Sequence, residues 1–310
     1  MNKVWVTGDA VVDLIPETEN TYLKCPGGAP ANVAVAIARL GGNVGFFGRV
    51  GQDPLGKFMK QTLADENVDV DALCFDENAR TSTVLVDLDA SGERSFTFMV
   101  KPSADQFTQQ ADIPEFKAGE WLHCCSIALA NEPSRSATLE SMRRIKAAGG
   151  YVSFDPNLRD EVWPDPQEIQ PVVMQAVALA DVVKFSDDEL MFLTSTDSLE
   201  KGLEALNGLN NTLVLVTQGA KGALVVFEGE QRLIAGTPTK PVDTTGAGDA
   251  FVGGLLGNLA RQQQWASKDR VTQAVHWANG CGALATTQKG AMTALPTEEA
   301  LLDSLSLSTR

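Results

Sequence analysis

The sequence has little histidine, little positive charge and no long hydrophobic run. Its 310 residues include 2 histidines, and 25 lysines and arginines stand against 40 aspartates and glutamates, which gives a net charge of −15. A chain this acidic repels a phosphate backbone unless its few cations are clustered, so we expect no nucleic-acid partner. No stretch approaches the roughly 18 apolar residues of a membrane span, so we expect neither a signal peptide nor a membrane partner.

The cysteines are few and follow no pattern that is typical of a disulfide framework or a zinc site. They include no C-x-x-C pair and number five: Cys25, Cys74, Cys124, Cys125 and Cys281. Such a pattern favours a reducing compartment, so we expect a cytoplasmic protein. His123 and His276 lie far apart in the sequence without other evident ligands, and we interpret both as structural.

Two common phosphate-binding patterns are also missing. No G-x-G-x-x-G turn follows the first predicted strand, which argues against a nicotinamide-dependent oxidoreductase. Residues 51–58 approach the sequence of a P-loop, but Phe58 stands where a Ser or Thr would bind magnesium. We therefore expect no phosphate site at that position.

Short apolar runs alternate with longer helical patterns along most of the chain. Hydrophobic residues make up 44% and charged residues 21% of the sequence, as in an ordinary globular protein. The alternation predicts an α/β fold with a mainly parallel central sheet flanked by helices. The predicted strands are 3–7, 44–48, 121–125, 151–155, 182–185 and 212–217, and the predicted helices are 31–40, 54–66, 134–148, 167–180, 247–261 and 268–286.

One segment breaks this alternation and is typical of an antiparallel hairpin. Residues 81–89 and 94–100 form two alternating runs around a glycine-containing turn at 90–93. Phe96 and Phe98 share one face, which does not suit a sheet covered on both sides. We expect a flap outside the main sheet, paired with the segments that flank Pro16. Because no long linker is present, the chain is predicted to form a single domain, residues 1–310, with a small β-hairpin lid made of about 10–24 and 80–101.

The most informative stretch is D-T-T-G-A-G-D-A-F at residues 243–251, which runs directly into a helix of small residues. Two glycines around one alanine let backbone N–H groups converge at a helix N-terminus, where the dipole adds positive potential. Asp249 sits in this anion cradle, where a carboxylate makes chemical sense as the base for a hydroxyl that attacks a phosphate. The alternative is a glycine-rich turn in which Asp249 only complements the helix dipole.

A second glycine pair opens an earlier predicted helix. Gly27 and Gly28 allow close approach of a ligand to the backbone, and Asn32 on the first helical turn can offer its amide to a polyol. Asp9 and Asp13 flank the end of the first strand, which in an open parallel sheet is where ligands bind. Two carboxylates there would suit the hydroxyl groups of a sugar.

Together these stretches resemble the ribokinase-like, PfkB-type carbohydrate kinases. That family carries G-G-x-x-x-N before an early helix and D-T-x-G-A-G-D before a late one, and both patterns occur here in that order. The resemblance extends from residue 4 to about residue 295. Within the family, residues 25–32, 80–83, 95–98, 154–159 and 289–296 look most like bacterial fructokinases, and aminoimidazole riboside kinases are the near alternative.

The resemblance implies a role for individual residues of the sugar and phosphoryl sites. It makes Asp249 the catalytic base and makes Gly246, Ala247 and Gly248 the anion hole. The sugar would be held by Asp9, Asp13, Gly28, Asn32, Phe98 and Arg159. Phe98 would close the lid over the sugar, and Arg159 would bind sugar oxygens or the transferred phosphoryl group.

The resemblance also implies a nucleotide site and a cation site. Lys184 and Glu189 correspond to the triphosphate and magnesium-water region, although Ser186 stands where many relatives have Asn. The residues that match the nucleotide loop and the adenine contact are Thr217, Gly219, Lys221, Gly222 and Asn279. The residues that match a potassium loop are Asp243, Thr245, Ala285, Gln288 and Gly290.

The activity implied by this resemblance is ATP- and Mg²⁺-dependent phosphorylation of D-fructose at its 6-hydroxyl, with activation by potassium. Aminoimidazole riboside kinase or another sugar kinase of the family remains an alternative, and the lid is expected to allow a homodimer. A different class, a catalytically silent sugar-binding regulator, is disfavoured because Asp249 and the whole glycine cradle are present.

Overall fold

The computed structural model describes residues 1–88 and 94–307. Its strands are β1 (Val4–Thr7), β2 (Val11–Thr18), β3 (Thr21–Gly27), β4 (Val44–Gly51), β5 (Leu73–Asp76), β6 (Thr83–Leu88), β7 (Arg94–Phe98), β8 (Trp121–Cys125), β9 (Tyr151–Asp155), β10 (Val182–Ser186), β11 (Leu213–Thr217), β12 (Gly222–Phe227) and β13 (Glu230–Ala235). Its helices are α1 (Ala29–Arg39), α2 (Pro54–Asp65), α3 (Ser134–Ala147), α4 (Ile169–Leu179), α5 (Asp187–Thr194), α6 (Leu199–Ala205), α7 (Ala247–Leu259), α8 (Lys268–Ala285) and α9 (Glu298–Leu307).

A nine-stranded sheet forms the centre of this part of the chain, in the order β13-β12-β11-β10-β9-β8-β1-β4-β5. The strands from β11 to β5 pair in parallel, and β12 and β13 add an antiparallel edge. Every residue of β1 and β8 is buried, because helices cover both faces of the sheet. Val4 and Val6 belong to the core under α1, α7 and α8, whereas Trp5 belongs to the core under α3 and α4.

A four-stranded sheet in the order β3-β2-β6-β7 stands apart from the main sheet. It confirms the predicted hairpin and its pairing with the segments around Pro16, since β2 contains Pro16 and pairs with β6. Val84 lies opposite Phe98 and Val86 opposite Phe96 across the hairpin. The predicted turn at 90–93 lies outside the described residues. The first part of this sheet continues to Gly27, beyond the predicted limit at residue 24.

The predicted strands and helices are confirmed to within two residues at each end, except that β4 continues to Gly51, three residues beyond its predicted end at residue 48. Helices α5, α6 and α9 and strands β5, β12 and β13 were not predicted. Helix α6 has 7 residues and β5 has 4, too few to show a period. Strands β12 and β13 are joined by Glu228 and Gly229, both with positive φ, which is a hairpin turn that the sequence marks only by one glycine.

None of the helices in the described part of the chain is both long and apolar enough to cross a membrane. The longest, α8, has 18 residues and begins with the charged side chains of Lys268, Asp269 and Arg270.

Candidate active site

The carboxyl ends of β1, β8, β9 and β10 open into a cavity of about 410 Å³, and the small sheet borders it through Val84, Phe96 and Phe98. This edge of a parallel sheet is where ligands bind in open α/β folds. The predicted site residues that line the cavity are Asp9, Asp13, Gly28, Asn32, Phe98, Arg159, Lys184, Glu189, Thr245, Gly246, Gly248 and Asp249. The two sequence motifs, which lie at opposite ends of the chain, therefore meet in one place.

The glycine cradle forms the start of α7. Gly246 is the N-cap in a left-handed conformation with φ of 77°, and a Cβ there would lie 2.9 Å from Ala291, so only glycine fits. The first N–H groups of a helix have no partner within it, and the helix dipole concentrates positive potential at them. Lys184 adds a full positive charge beside these N–H groups. A Cβ atom placed on Gly248 would lie 3.5 Å from Lys184 Nζ. The arrangement can hold an anion.

Asp249 is buried in the first turn of α7 and is 7% exposed. Its Oδ2 accepts a hydrogen bond from Asn32 Nδ2 at 2.8 Å, and its Oδ1 accepts one from Asn157 Nδ2 at 3.4 Å. Burial raises the pKa of Asp249 above its ordinary value, and the opposing effects are the Asn32 hydrogen bond and the charges of Lys184 and Arg159. A carboxylate with a raised pKa is a stronger base, as proton abstraction requires.

Two residues that line the same cavity each carry a buried oxygen atom without a protein partner. Asp9 Oδ1 and Asn32 Oδ1 have no hydrogen-bond donor among the described residues. Gly28, with φ of 97°, packs against the backbone of Asp9 and Val11, and a Cβ there would lie 2.5 Å from the carbonyl oxygen of Asp9. Because an unsatisfied buried acceptor is costly, these atoms indicate a ligand that donates hydrogen bonds. Vicinal hydroxyl groups have that chemistry.

Lys184 forms a buried ion pair that no motif had singled out. Its Nζ lies 3.0 and 2.9 Å from the two carboxylate oxygens of Asp155, which ends β9. Burial raises the pKa of Asp155 to about 7 although Lys184 opposes it. Glu189 serves α5 as part of a capping box with Ser186, and its Oε1 accepts a hydrogen bond from Leu158 N at 3.0 Å. Ser186 therefore caps a helix at the cavity wall.

Comparison with known proteins decides the family. The sequence model of the pfkB family of carbohydrate kinases matches residues 1–298. This chain belongs to that family.

This family member is similar along its whole length to proteins of named activity. It is 66% identical over 302 residues to a fructokinase of Vibrio alginolyticus, covering 97% of this chain and 98% of that one. It resembles a fructokinase double mutant of Vibrio cholerae O395 in its fructose, ADP and potassium bound form, with TM-score 0.95, 65% identity and 98% of each chain covered. It also resembles aminoimidazole riboside kinase of Salmonella enterica with aminoimidazole riboside and an ATP analogue, with TM-score 0.91, 43% identity, and 98% and 100% of the two chains covered.

Of the residues predicted for the nucleotide, Lys184 and Glu189 line the cavity of this kinase, whereas the nucleotide-loop residues and Asn279 do not. Thr217, Gly219, Lys221 and Gly222 form the turn from β11 into β12. Asn279, on α8, donates hydrogen bonds to the carbonyl oxygens of Ile234 and Ala235 at 3.2 and 3.0 Å. It therefore ties the end of β13 to α8, and its predicted contact with adenine stays a prediction.

The residues predicted for a monovalent cation come together in two loops next to the cradle. Asp243 Oδ1 accepts hydrogen bonds from the N–H and hydroxyl of Thr245, and Oδ2 accepts one from Gly290 N at 2.9 Å. Ala285 ends α8, and Gln288 lies between it and Gly290. Within residues 1–88 and 94–307, no cluster of three or more His, Cys, Asp or Glu could hold a metal.

Asp9 gives the kinase a measurable dependence of stability on pH. Burial, followed by the charge of Asp105, raises the pKa of Asp9 to about 7. A carboxyl group whose pKa is higher in the folded state binds more protons there, so the fold loses stability as pH rises from about 4 to about 7. Asp9→Asn removes this loss. We expect the variant to exceed wild type in free energy of unfolding by about 1 to 4 kcal/mol at pH 8, and by much less at pH 5.

Urea unfolding at the two pH values measures this difference. Asp303→Asn, an exposed carboxylate on α9, is the control and should leave the pH dependence of wild type unchanged. A stability difference for Asp9→Asn that is the same at pH 5 and pH 8 would show that Asp9 is ionised equally in the folded and unfolded states.

Proposed function

We propose that this chain is a fructokinase that transfers the γ-phosphoryl group of ATP to the 6-hydroxyl of D-fructose, giving fructose 6-phosphate and ADP. One observation carries the proposal: a buried base at an anion-binding helix N-terminus faces two buried acceptors that a polyol would satisfy. Full-length similarity to fructokinases, one of them seen with fructose and ADP, supports fructose as the sugar.

The proposed mechanism is positioning combined with charge stabilisation. Asp9 and Asn32 accept hydrogen bonds from sugar hydroxyls, which orients the sugar and brings the reacting hydroxyl to Asp249. Asp249 takes the proton of that hydroxyl as the oxygen attacks phosphorus. The N–H groups at the start of α7 and the Lys184 ammonium group offset the charge that develops on the transferred group.

Mg²⁺ would be held together with the nucleotide and would offset the negative charge of its phosphates. Glu189 lines the cavity, but each of its carboxylate oxygens already accepts a backbone N–H, from Leu158 and Ser186. The residue fits a role in which it orients magnesium-bound water with its remaining lone pairs. The turn at 217–222 and Asn279 would border the nucleotide base.

A panel of acceptors tests the proposal directly. We expect kcat/KM to favour fructose over ribose, glucose and aminoimidazole riboside, and ³¹P and ¹³C NMR of the product to place the phosphate on carbon 6. Phe98 supplies apolar closure without a hydroxyl group, which fits the smaller sugar. A preference for the riboside would show that the riboside, and not fructose, is the substrate, and the assignment as a kinase would still hold. Sugar binding without any ADP release would indicate a silent regulator.

The cation loops predict activation by potassium. Carbonyl and carboxylate oxygens are the donors available there, which suits an alkali cation, and Asp243 already links residue 245 to residue 290 beside Gly246. A bound cation would order the anion cradle without touching the sugar. We expect kcat to fall by about fivefold or more when sodium or a bulky organic cation replaces potassium at equal ionic strength. Equal rates in the three salts would contradict a cation site.

We propose further that two copies associate through the small sheet. Large apolar side chains are exposed at its two edges, namely Tyr22 and Leu23 on β3, Phe96 on β7 and Met99 just after β7, and exposed apolar surface is typical of an interface. We expect wild type to sediment as a dimer at micromolar concentration and Leu23→Asp to sediment as a monomer. Leu302→Asp, which charges an equally exposed leucine on α9, is the control and should leave the dimer intact.

We assign this activity to the cytoplasm. Cys124, Cys125 and Cys281 are buried thiols, and burial raises the pKa of each of them. Buried cysteines that remain free thiols suit a reducing compartment in which ATP is available.

A further inference from the structure

Residues 51–58, whose sequence approaches a P-loop, form a joint between α2 and a distant part of the chain. Asp53 is the N-cap of α2, and its Oδ1 accepts hydrogen bonds from Leu55 N at 3.0 Å and Gly56 N at 2.8 Å. The same carboxylate holds Thr81. Thr81 N donates to Oδ2 at 2.9 Å, and the Thr81 hydroxyl donates to Oδ1 at 2.8 Å.

The two glycines of this stretch make room for Thr81. A Cβ at Gly51 would lie 2.7 Å from Thr81 N, and a Cβ at Gly56 would lie 2.8 Å from Thr81 Oγ1. Gly51 N also donates a hydrogen bond to Thr81 Oγ1 at 3.0 Å. The hydroxyl therefore donates to one partner and accepts from another in a buried site, which explains the G-x-D-x-x-G spacing without a phosphate.

Thr81 lies where the small sheet leaves the main body, just before β6. Val84, three residues further on, lines the cavity together with Phe98, its partner across the hairpin. The other end of the hairpin is attached at the same point, because Ala104 N donates to the carbonyl oxygen of Arg80 at 2.8 Å. A shift of Thr81 would therefore displace both lid residues that face the sugar.

The carboxylate that holds Thr81 is ionised. Burial alone would raise the pKa of Asp53, but the hydrogen bonds from Thr81, Gly56 and Leu55 outweigh burial and keep this pKa below its ordinary value. Hydrogen bonds to a charged acceptor are roughly twice as strong as neutral ones. Charge-assisted hydrogen bonds therefore hold Thr81 to the start of α2.

We propose that Asp53 and Thr81 are positioning residues that anchor the lid, fixing β6 to α2 so that Val84 and Phe98 close over the sugar. The inference rests on the proposed sugar kinase function. Neither residue lines the cavity, so both act through the lid strands. Loss of the anchor should weaken sugar binding and let water reach the phosphoryl group, whereas proton transfer at Asp249 should be retained.

The test compares Thr81→Val, which deletes the hydroxyl at nearly constant volume, with Thr81→Ser, which keeps it. For Thr81→Val we expect a rise of about tenfold in KM for the preferred sugar, a smaller change in kcat, and faster ATP hydrolysis without sugar. Thr81→Ser should stay near wild type. Ser198→Ala is the stability control, since Ser198 caps α6 far from the lid, and it should change neither KM nor sugar-free hydrolysis.

Hydrogen exchange gives a readout that does not depend on activity. Peptides within 81–88 and 94–101 should exchange faster in Thr81→Val than in Thr81→Ser, while peptides of α7 should not differ. The proposal that Thr81 anchors the lid is wrong if Thr81→Val loses thermal stability but keeps three wild-type properties: the KM for the sugar, the rate of ATP hydrolysis without sugar, and the rate of hydrogen exchange in the lid. A wild-type protein that phosphorylates no sugar would overturn the proposed function instead, and the exchange comparison would still decide whether Thr81 holds the lid.

Discussion

Asp249→Asn should lower kcat for fructose phosphorylation by about 10² to 10⁴ while the fold remains intact. Asparagine keeps the shape of the side chain and can still accept the hydrogen bond from Asn32, but it cannot take a proton. The substitution also removes a buried carboxyl group whose pKa is raised by burial, so thermal stability should stay equal or increase. Steady-state kinetics at saturating ATP and sugar, with a melting curve for each protein, measure both effects.

Asp269→Asn is the matched control for this variant. Asp269 lies in the first turn of α8, as Asp249 lies in the first turn of α7, but it is exposed. It should keep full turnover. Fructose affinity measured by calorimetry should remain within a few-fold of wild type in both variants, because Asp9 and Asn32 are untouched. Near-normal turnover in Asp249→Asn would mean that another group accepts the proton.

The sequence was sufficient to predict six of the nine strands of the central sheet, because strands that are buried on both faces are rich in apolar residues. Residues 121–125 and 151–155 are mostly apolar or small, as a strand covered on both faces requires, and both strands were predicted to the residue. The hairpin was predicted because alternation at 94–98 is incompatible with such a strand. Short elements such as α5 were missed, since its 8 residues are defined by the Ser186 and Glu189 capping box more than by a period.

The candidate site was predictable where the backbone itself requires a residue type. Gly28 and Gly246 adopt positive φ against neighbouring backbone, so their pattern is visible in the sequence. Asp155 was missed as a site residue because its role depends on Lys184, 29 residues later on the next strand. The role of Asp53 was missed for the same reason, since only the fold brings Thr81 to it.

Lys184→Met should cause the second large loss, in both turnover and stability. Lys184 supplies positive charge beside Gly248, and removing one such group from a buried oxyanion site typically lowers kcat by about 10² to 10³. It is also the counter-ion of Asp155, and breaking a buried ion pair by removing one partner costs about 3 to 5 kcal/mol. We expect a higher KM for ATP, a lower kcat and a lower melting temperature.

The stability loss should depend on pH in a direction that identifies its cause. Burial already raises the pKa of Asp155 to about 7 with Lys184 present, and without the ammonium group this pKa rises further. The folded variant then needs a proton on Asp155, so its deficit relative to wild type should be small at pH 5 and large at pH 8. Lys146→Met breaks the exposed Lys146–Asp181 pair and should show no such trend.

Asp155→Asn separates the two roles of Lys184, as a positive charge at the phosphoryl site and as the counter-ion of Asp155. Because this variant keeps the lysine charge, it should lose less turnover than Lys184→Met. If Asp155→Asn instead loses as much turnover as Lys184→Met, the orientation of the lysine, and not its charge alone, is what the phosphoryl site requires.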